Sequence, residues 1–380
     1  MRVRHLVAVL AVMALAGCDG GTPTRADTTV EVSRGACGTG WKDPHGGDQV
    51  FRVHNVDTVT AEVELVDPHT HAVYAEVDGV APGTTRPMRV RLGRGRYAFR
   101  CLPEDTDART GSTVTVSDGP ARGAPAVVPV GEQDLRGAVT TYRAYVTRSF
   151  RPLVADVAAL DKAVRSGDRA GARRAWLPAH LDYERLGAAY DTFGDLADAI
   201  DRLPAGLPDG VHDKDFTGFH RIEYGLWHGE SMTSLRGPAG TLRSDVGELV
   251  GGFADEQTDP NDLPLRAHEI LEMTFQFELT GEADQGSGTT LATARANVDG
   301  TRAVLSALRP VLTGRYRGLS GADDALDTLA KLLDARHTGG GWTPVDSLSA
   351  ADRERVNGAA GDALERLAPV AALAEVRRTR

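Results

Sequence analysis

Three pairs of residues set an imidazole and a carboxylate at helical spacing. His220 and Glu223 lie three apart in Thr217-Gly218-Phe219-His220-Arg221-Ile222-Glu223-Tyr224-Gly225-Leu226-Trp227, so on a helix they share a face. His180 and Glu184 lie four apart and share a face too, among Trp176, Leu177, Leu181 and Tyr183, which marks that helix as partly buried. His268 and Glu272 repeat the spacing in His268-Glu269-Ile270-Leu271-Glu272. Four aspartates, Asp191, Asp195, Asp198 and Asp201, follow the His180 segment, and of these Asp191 and Asp198 read as caps or solvated groups. Imidazole and carboxylate donors that converge make a transition-metal site, and without thiolate they suit iron, manganese or zinc better than copper(I). Paired Glu-x-x-His segments build bundle-core iron sites by the same logic. Glu184, His220 and Glu223 are therefore candidate ligands; the competing account of the same spacing is a surface ion pair.

Other chemistries lack their residues. There is no His-Glu-x-x-His; His268-Glu269-x-x-Glu272 starts like it and ends in Glu. Neither a Gly-x-Ser-x-Gly elbow nor a phosphate-cradling Gly-x-x-x-x-Gly-Lys-Ser/Thr occurs.

The elements that must position these groups change character along the chain. Residues 28–118 alternate with period two, as in Thr29-Val30-Glu31-Val32-Ser33, Gln49-Val50-Phe51-Arg52-Val53-His54-Asn55 and Ser112-Thr113-Val114-Thr115-Val116. Short alternating runs separated by Gly, Pro and Asp predict a β-sandwich. Residues 119–131 are Gly-, Ala- and Pro-rich and read as a linker. From 132 to 380 the period is helical. Apolar positions from Leu135 to Leu160 mark a first helix that Pro152 should kink or split, and Asp168 caps a second running to Tyr190. Further helices are expected near 242–256, 261–279, 289–312, 323–337 and 350–377, which predicts helical bundles.

The N-terminus bears on location. Met1-Arg2-Val3-Arg4-His5 is basic, Leu6 to Ala16 is apolar, and Leu15-Ala16-Gly17-Cys18 has the form of a lipobox. The expectation is a signal peptide over residues 1–17, an acylated Cys18, a polar tether over 18–27, and a lipoprotein anchored to the cell membrane with its folded part outside the cytoplasm. Cys37 and Cys101 then remain, and outside the cytoplasm such a pair is most simply a disulfide; the alternative is that one of them ligates a soft metal. The formal charge of -10 argues against nucleic acid as a partner.

From about Arg136 onward the chain resembles the imelysin-like family. The resemblance is carried by Ala175-Trp176-Leu177-Pro178-Ala179-His180-Leu181-Asp182-Tyr183-Glu184, Phe193-Gly194-Asp195-Leu196, the Gly218 to Trp227 segment and Ala296-Asn297-Val298-Asp299-Gly300. The first domain resembles the cupredoxin-like module that precedes it in many members, through Cys37, Tyr97-x-x-x-Cys101, Asn55 and Glu62-Val63-Glu64. The resemblance implies an N-terminal all-β cupredoxin-like sandwich followed by an all-α domain of two packed helical bundles with a metal site between them. It implies metal ligation by Glu184, His220 and Glu223 and places the family's aspartates at Asp195 and Asp201, with His268 and Glu272 as further candidates. It also implies capture of iron, ferrous or ferric (zinc or copper in its place), for delivery to a membrane permease that works with a haem peroxidase. Members are also described as metal-dependent peptidases, which is the alternative function; a third is a scaffold whose bundle only docks a partner. Two departures stand out. The usual Phe-x-Asp-Leu-Asp reads Phe193-Gly194-Asp195-Leu196-Ala197, and no His neighbours Cys101 as a cupredoxin copper site requires.

Overall fold

The computed structural model describes residues 27–377, so the basic-apolar leader, Cys18 and most of the tether lie outside the described residues. The chain divides into two compact units, one comprising residues 1–68 and 74–125, the other residues 69–73 and 126–380. The stretch 69–73, which the sequence places inside the β segment, groups with the helical unit.

The first unit is all β. Its strands are β1 (Thr28–Val32), β2 (Cys37–Thr39), β3 (Gly47–Asn55), β4 (Ala61–Val66), β5 (Val73–Val80), β6 (Thr85–Leu92), β7 (Gly95–Pro103), β8 (Arg109–Thr110) and β9 (Val114–Val116). One sheet runs β2-β1-β3-β6, with β1 parallel to β3; the other runs β5-β4-β7-β8, with β9 also on β7. The period of two does what it should: β3 turns Gln49, Phe51, Val53 and Asn55 inward. Phe51 packs edge-on against Trp41 and Phe99 at 4.8 and 5.1 Å between ring centroids. A Cys37–Cys101 disulfide joins β2 to β7 and so ties one sheet to the other. Closing a loop of 64 residues is worth roughly 4 kcal/mol on the chain-entropy account.

Two residues that carry the cupredoxin resemblance have structural work here. Asn55 donates to Val59 O and Val80 O, each at 2.8 Å, and accepts from Asp57 N, which pins the β3–β4 turn. Glu64 is fully buried and paired to Arg100. With both thiols in a disulfide, neither Cys37 nor Cys101 offers a thiolate to a soft metal.

The second unit is helical: α1 (Glu132–Ser166), α2 (Arg169–Glu184), the short α3 (Tyr190–Phe193) and α4 (Asp195–Asp201), α5 (Gly218–Trp227), α6 (Arg236–Gly252), α7 (Asp262–Met273), α8 (Thr290–Leu312), α9 (Leu319–Asp334) and α10 (Ala350–Ala374). A small hairpin, β10 (His337–Thr338) with β11 (Gly341–Trp342), lies between α9 and α10. α1, α2, α5 and α6 pack on one another, α7 and α9 pack on α10, and α8 contacts both groups. No helix among the described residues is long and apolar enough to cross a membrane.

Pro152 does not split α1, which is continuous over 35 residues. The proline ring faces solvent, where water can serve the Arg148 carbonyl that loses its N–H partner. The α1–α2 corner is built as the sequence suggests. Gly167 ends α1 in the left-handed region at φ 79°, and the Asp168 carboxylate accepts from Gly171 N at 2.8 Å. The second helix stops at Glu184, earlier than expected, and a 3-10 turn over Gly187–Ala189 leads into α3.

Candidate metal centre

Four elements bring the acid and imidazole groups together. α2 carries a buried stripe of Ala172, Trp176, His180 and Glu184, each four residues after the last. α4 ends on Asp201. α5 turns His220 and Glu223 inward beside Phe219, Ile222 and Leu226. α7 runs on into a π-helical turn over Thr274–Glu278, which ends on a buried Glu278; single π turns recur at functional sites.

The helices are locked by hydrogen bonds at their ends. Trp176 Nε1 donates to Phe219 O at 2.9 Å, joining α2 to the first turn of α5. Arg169 and Arg173, from the first turns of α2, donate to Leu226 O at 2.7 and 2.8 Å and so cap the C-terminal end of α5. At the other end of α5, Thr217 Oγ1 donates to Ala199 O at 2.8 Å. Gly218 has φ 76°, and a Cβ there would stand 1.9 Å from Ile200 O. The bare backbone lets α5 start directly against the end of α4, which sets His220 beside Asp201. Gly218→Ala combines a left-handed φ with that clash, so it should destabilise the unit by about 2–3 kcal/mol or more in denaturant unfolding and weaken metal binding as His220 moves. An unchanged midpoint would remove Gly218 from the account.

Ligand atoms of His180, Asp201 and His220 all lie within 4.8 Å of one another. His180 Nε2 is 3.2 Å from Asp201 Oδ1 and 3.3 Å from Glu184 Oε1, and His220 Nε2 is 3.6 Å from Asp201 Oδ1. None of these contacts is aligned as a hydrogen bond: both ring nitrogens of His180 and Asp201 Oδ1 are buried without a hydrogen-bond partner. Buried polar atoms are almost always paired, so His180 Nε2 and Asp201 Oδ1, which face each other without an aligned hydrogen bond, leave a place for a partner that is not a protein group. A cation is the partner their chemistry fits: imidazole nitrogen and carboxylate oxygen bind at about 2.0–2.2 Å, so donors around one ion stand about 3–4 Å apart.

Both oxygens of Glu223 have protein partners. Its Oε1 accepts from Gln285 N at 3.1 Å and Ser287 N at 3.0 Å, and its Oε2 lies 3.2 Å from His220 Nδ1. Both oxygens are engaged, and the bond to Nδ1 turns His220 so that Nε2 faces Asp201. A carboxylate behind a ligating histidine fixes its tautomer and raises its basicity in just this way.

The buried acids and imidazoles shift one another's affinity for protons. Burial opposes a charged His180, but Asp201 and Glu184 outweigh it and hold the imidazole well above its ordinary value. His220 is raised likewise, burial being outweighed by Asp201 and Glu223. Burial would raise Asp201, yet His180 and His220 bring it below the usual carboxylate range. Glu278 is pushed well up, first by burial and then by Glu184, and Glu184 is raised by burial. A cation at this point would compete with protons for these groups.

The other sequence candidates are placed elsewhere. Asp195 is exposed and stands on the wall of a cavity of about 520 Å³ whose lining includes Glu184, Asp201, His220 and Glu278. His268 and Glu272 pair with each other at 3.6 Å on an outward face of α7, with Glu272 60% exposed, and the structure does not bring them to the cluster. The reason is helix phase: Leu263, Ala267, Leu271, Thr274 and Glu278 form the buried stripe, and His268 and Glu272 fall one residue off it. Sequence reasoning missed Glu278, whose signal was a carboxylate continuing an apolar stripe. It also left His180 off the ligand set, although Trp176, His180 and Glu184 follow one another at spacing four.

The helical unit matches a known family in sequence. Residues 138–371 match the family model described as Peptidase_M75, Imelysin, and the chain belongs to the imelysin family. Among similar curated proteins, "Iron uptake system component EfeO" of Yersinia pestis is 31% identical over 87% of this chain and 83% of its own length. The protein of the same name from Escherichia coli (strain K12) is 29% identical over 80% of this chain and 77% of its own. "Iron uptake system component EfeM" of Pseudomonas syringae pv. syringae is 32% identical over 59% of this chain and 80% of its own.

Proposed function

We propose that this chain is an iron-uptake component that captures an iron cation in its helical unit and passes it to a membrane permease. His180, Asp201 and His220 are its ligands, Glu184 and Glu278 complete the donor set, and Glu223 orients His220. The observation that carries the reading is the approach of His180 Nε2 and His220 Nε2 to Asp201 Oδ1, where the His180 and Asp201 atoms are buried without a hydrogen-bond partner. Kinship to proteins named as iron uptake components selects iron among the metals that nitrogen and oxygen donors suit. Acylation of Cys18 would keep the captured ion beside the membrane, and a haem peroxidase would serve the same route. Elemental analysis and calorimetric titration of the mature soluble chain with ferrous, ferric, zinc and copper ions test it. One tightly bound iron per chain is expected, and a chain that binds none of these ions would end the proposal.

The name of the family model raises a second reading, a metal-dependent peptidase. A hydrolytic centre keeps an open metal position with a general base beside its bound water. Glu223, the carboxylate of the His-x-x-Glu motif, is already engaged through both oxygens. The loaded chain should leave denatured casein intact; cleavage that stops on chelation would favour the peptidase.

A further inference from the structure

The cavity in front of the cluster is far larger than a bare ion needs. Its roughly 520 Å³ exceeds the volume of an ion with six waters, at about 30 Å³ per water. A small organic chelate, such as a citrate complex, would also fit by size, so size does not decide what enters.

Charge does. Glu184, Asp201 and Glu278 stand deep in the cavity, and Asp191, Asp195 and Asp198 stand on its more exposed wall. Arg266 is the one Lys or Arg in the lining, and it is committed to Asp191, which it grips through both Nε and Nη2, and to Glu269 at 3.3 Å. Asp198 is offset by Arg202. The Asp195 side chain makes no ion pair or hydrogen bond among the described residues. At Asp195 the wall therefore carries uncompensated negative charge above a lining that includes His220 and Asp201, whose Oδ1 is buried without a hydrogen-bond partner. A low-dielectric cleft lined by one sign of charge concentrates the opposite sign and repels its own.

We infer that the acidic cavity admits its metal as a hydrated cation and rejects anionic chelates, with Asp195 as the wall residue that sets this selection. The inference rests on the proposed metal centre and adds the chemical form of its cargo. A cation arriving with its water shell exchanges those waters first for the carboxylates of the lining and the imidazole of His220. A carboxylate chelate meets the unpaired carboxylate of Asp195 at the wall, while the one guanidinium in the lining is already paired to Asp191 and Glu269.

The test uses the mature soluble chain, supplied either with ferrous sulfate under anaerobic conditions or with ferric citrate carrying radiolabelled citrate. Capture of ferrous iron, followed by stopped-flow fluorescence quenching, should slow as salt is raised. Asp195→Lys should slow capture at low salt by about three- to tenfold and flatten that salt dependence, with Asp195→Asn falling between. Circular dichroism checks that both variants are folded. From ferric citrate the wild-type chain should retain no label. Label retained in proportion to iron, or Asp195→Lys capturing at the wild-type rate with the same salt dependence, overturns the inference and leaves the metal centre standing. A wild-type chain that takes up iron from neither supply overturns both.

Discussion

His180→Ala is expected to lower iron affinity by about a hundredfold or more while leaving the helical signal intact. Structural sites of four donors gain on the order of 10–16 kcal/mol, so one donor is worth roughly 3 kcal/mol, or about two decades in Kd. Asp201→Asn should do the same, since Oδ1 is the atom that both His180 and His220 face. Glu223→Gln should cost about ten- to a hundredfold, the usual range for a group that orients a ligand without binding the metal. His268→Ala and Glu272→Ala should change nothing, because that pair is outside the cluster. Isothermal titration across these variants separates the two accounts of the site. If His180, Asp201 and Glu223 were only a buried polar network, their variants would lose stability and bind iron as before. That result, or a loss with His268→Ala equal to the loss with His180→Ala, would refute the assignment.

This ranking of residues shows how much of the site could be read from the sequence. His220 and Glu184 were legible because each sits on an amphipathic helix whose buried face is plain from its apolar neighbours. Asp201 was visible only by kinship, since a seven-residue helix has too few turns to declare a face. The distinction between Asp195 and Asp201 depends on where α4 ends against Gly218, a contact between segments that periodicity does not encode. The His268–Glu272 pair had the right spacing on the wrong phase of α7. Spacing says that two groups share a face; the apolar stripe says which face is inside, and there it pointed to Glu278. Glu223 shows a further limit. Its place beside His220 follows from spacing, but its hydrogen bonds come from Gln285 and Ser287, more than sixty residues away, which spacing along one helix does not encode. The β unit was legible as alternating strands. What Asn55 and Glu64 do there depends on partners across turns and between strands, Val80 and Arg100 among them.

The stability of the metal-free protein should fall as pH rises from weakly acidic to alkaline, and bound iron should reverse that trend. Groups whose folded pKa is raised contribute stability below their unfolded value and lose it as pH climbs through the folded value. His180 and His220 are raised from 6.5, and Glu278 and Glu184 from 4.5. Their joint contribution is therefore present in weak acid and is lost progressively through neutrality and above. Asp201 and Glu223 are lowered, so their contribution has the opposite sign and disappears only in stronger acid. Iron requires all these ligands deprotonated, so it competes with the protons and binds more tightly as pH rises. At a hundredfold excess over Kd, ligand stabilisation is about 2.7 kcal/mol, worth about 5–10 °C in Tm for a unit of this size. The gain should be near zero at pH 5 and approach that value at pH 7.5. Glu278→Gln sharpens the test, because a neutral amide in the same place removes the cost of burying an acid. It should raise the Tm of the metal-free protein at pH 7.5 while reducing the gain from iron, two shifts of opposite sign from one substitution. A purely structural Glu278 would give no change in the gain from iron. An iron-induced shift in Tm that is the same at pH 5 and pH 7.5 would mean that the ion binds away from these histidines and carboxylates.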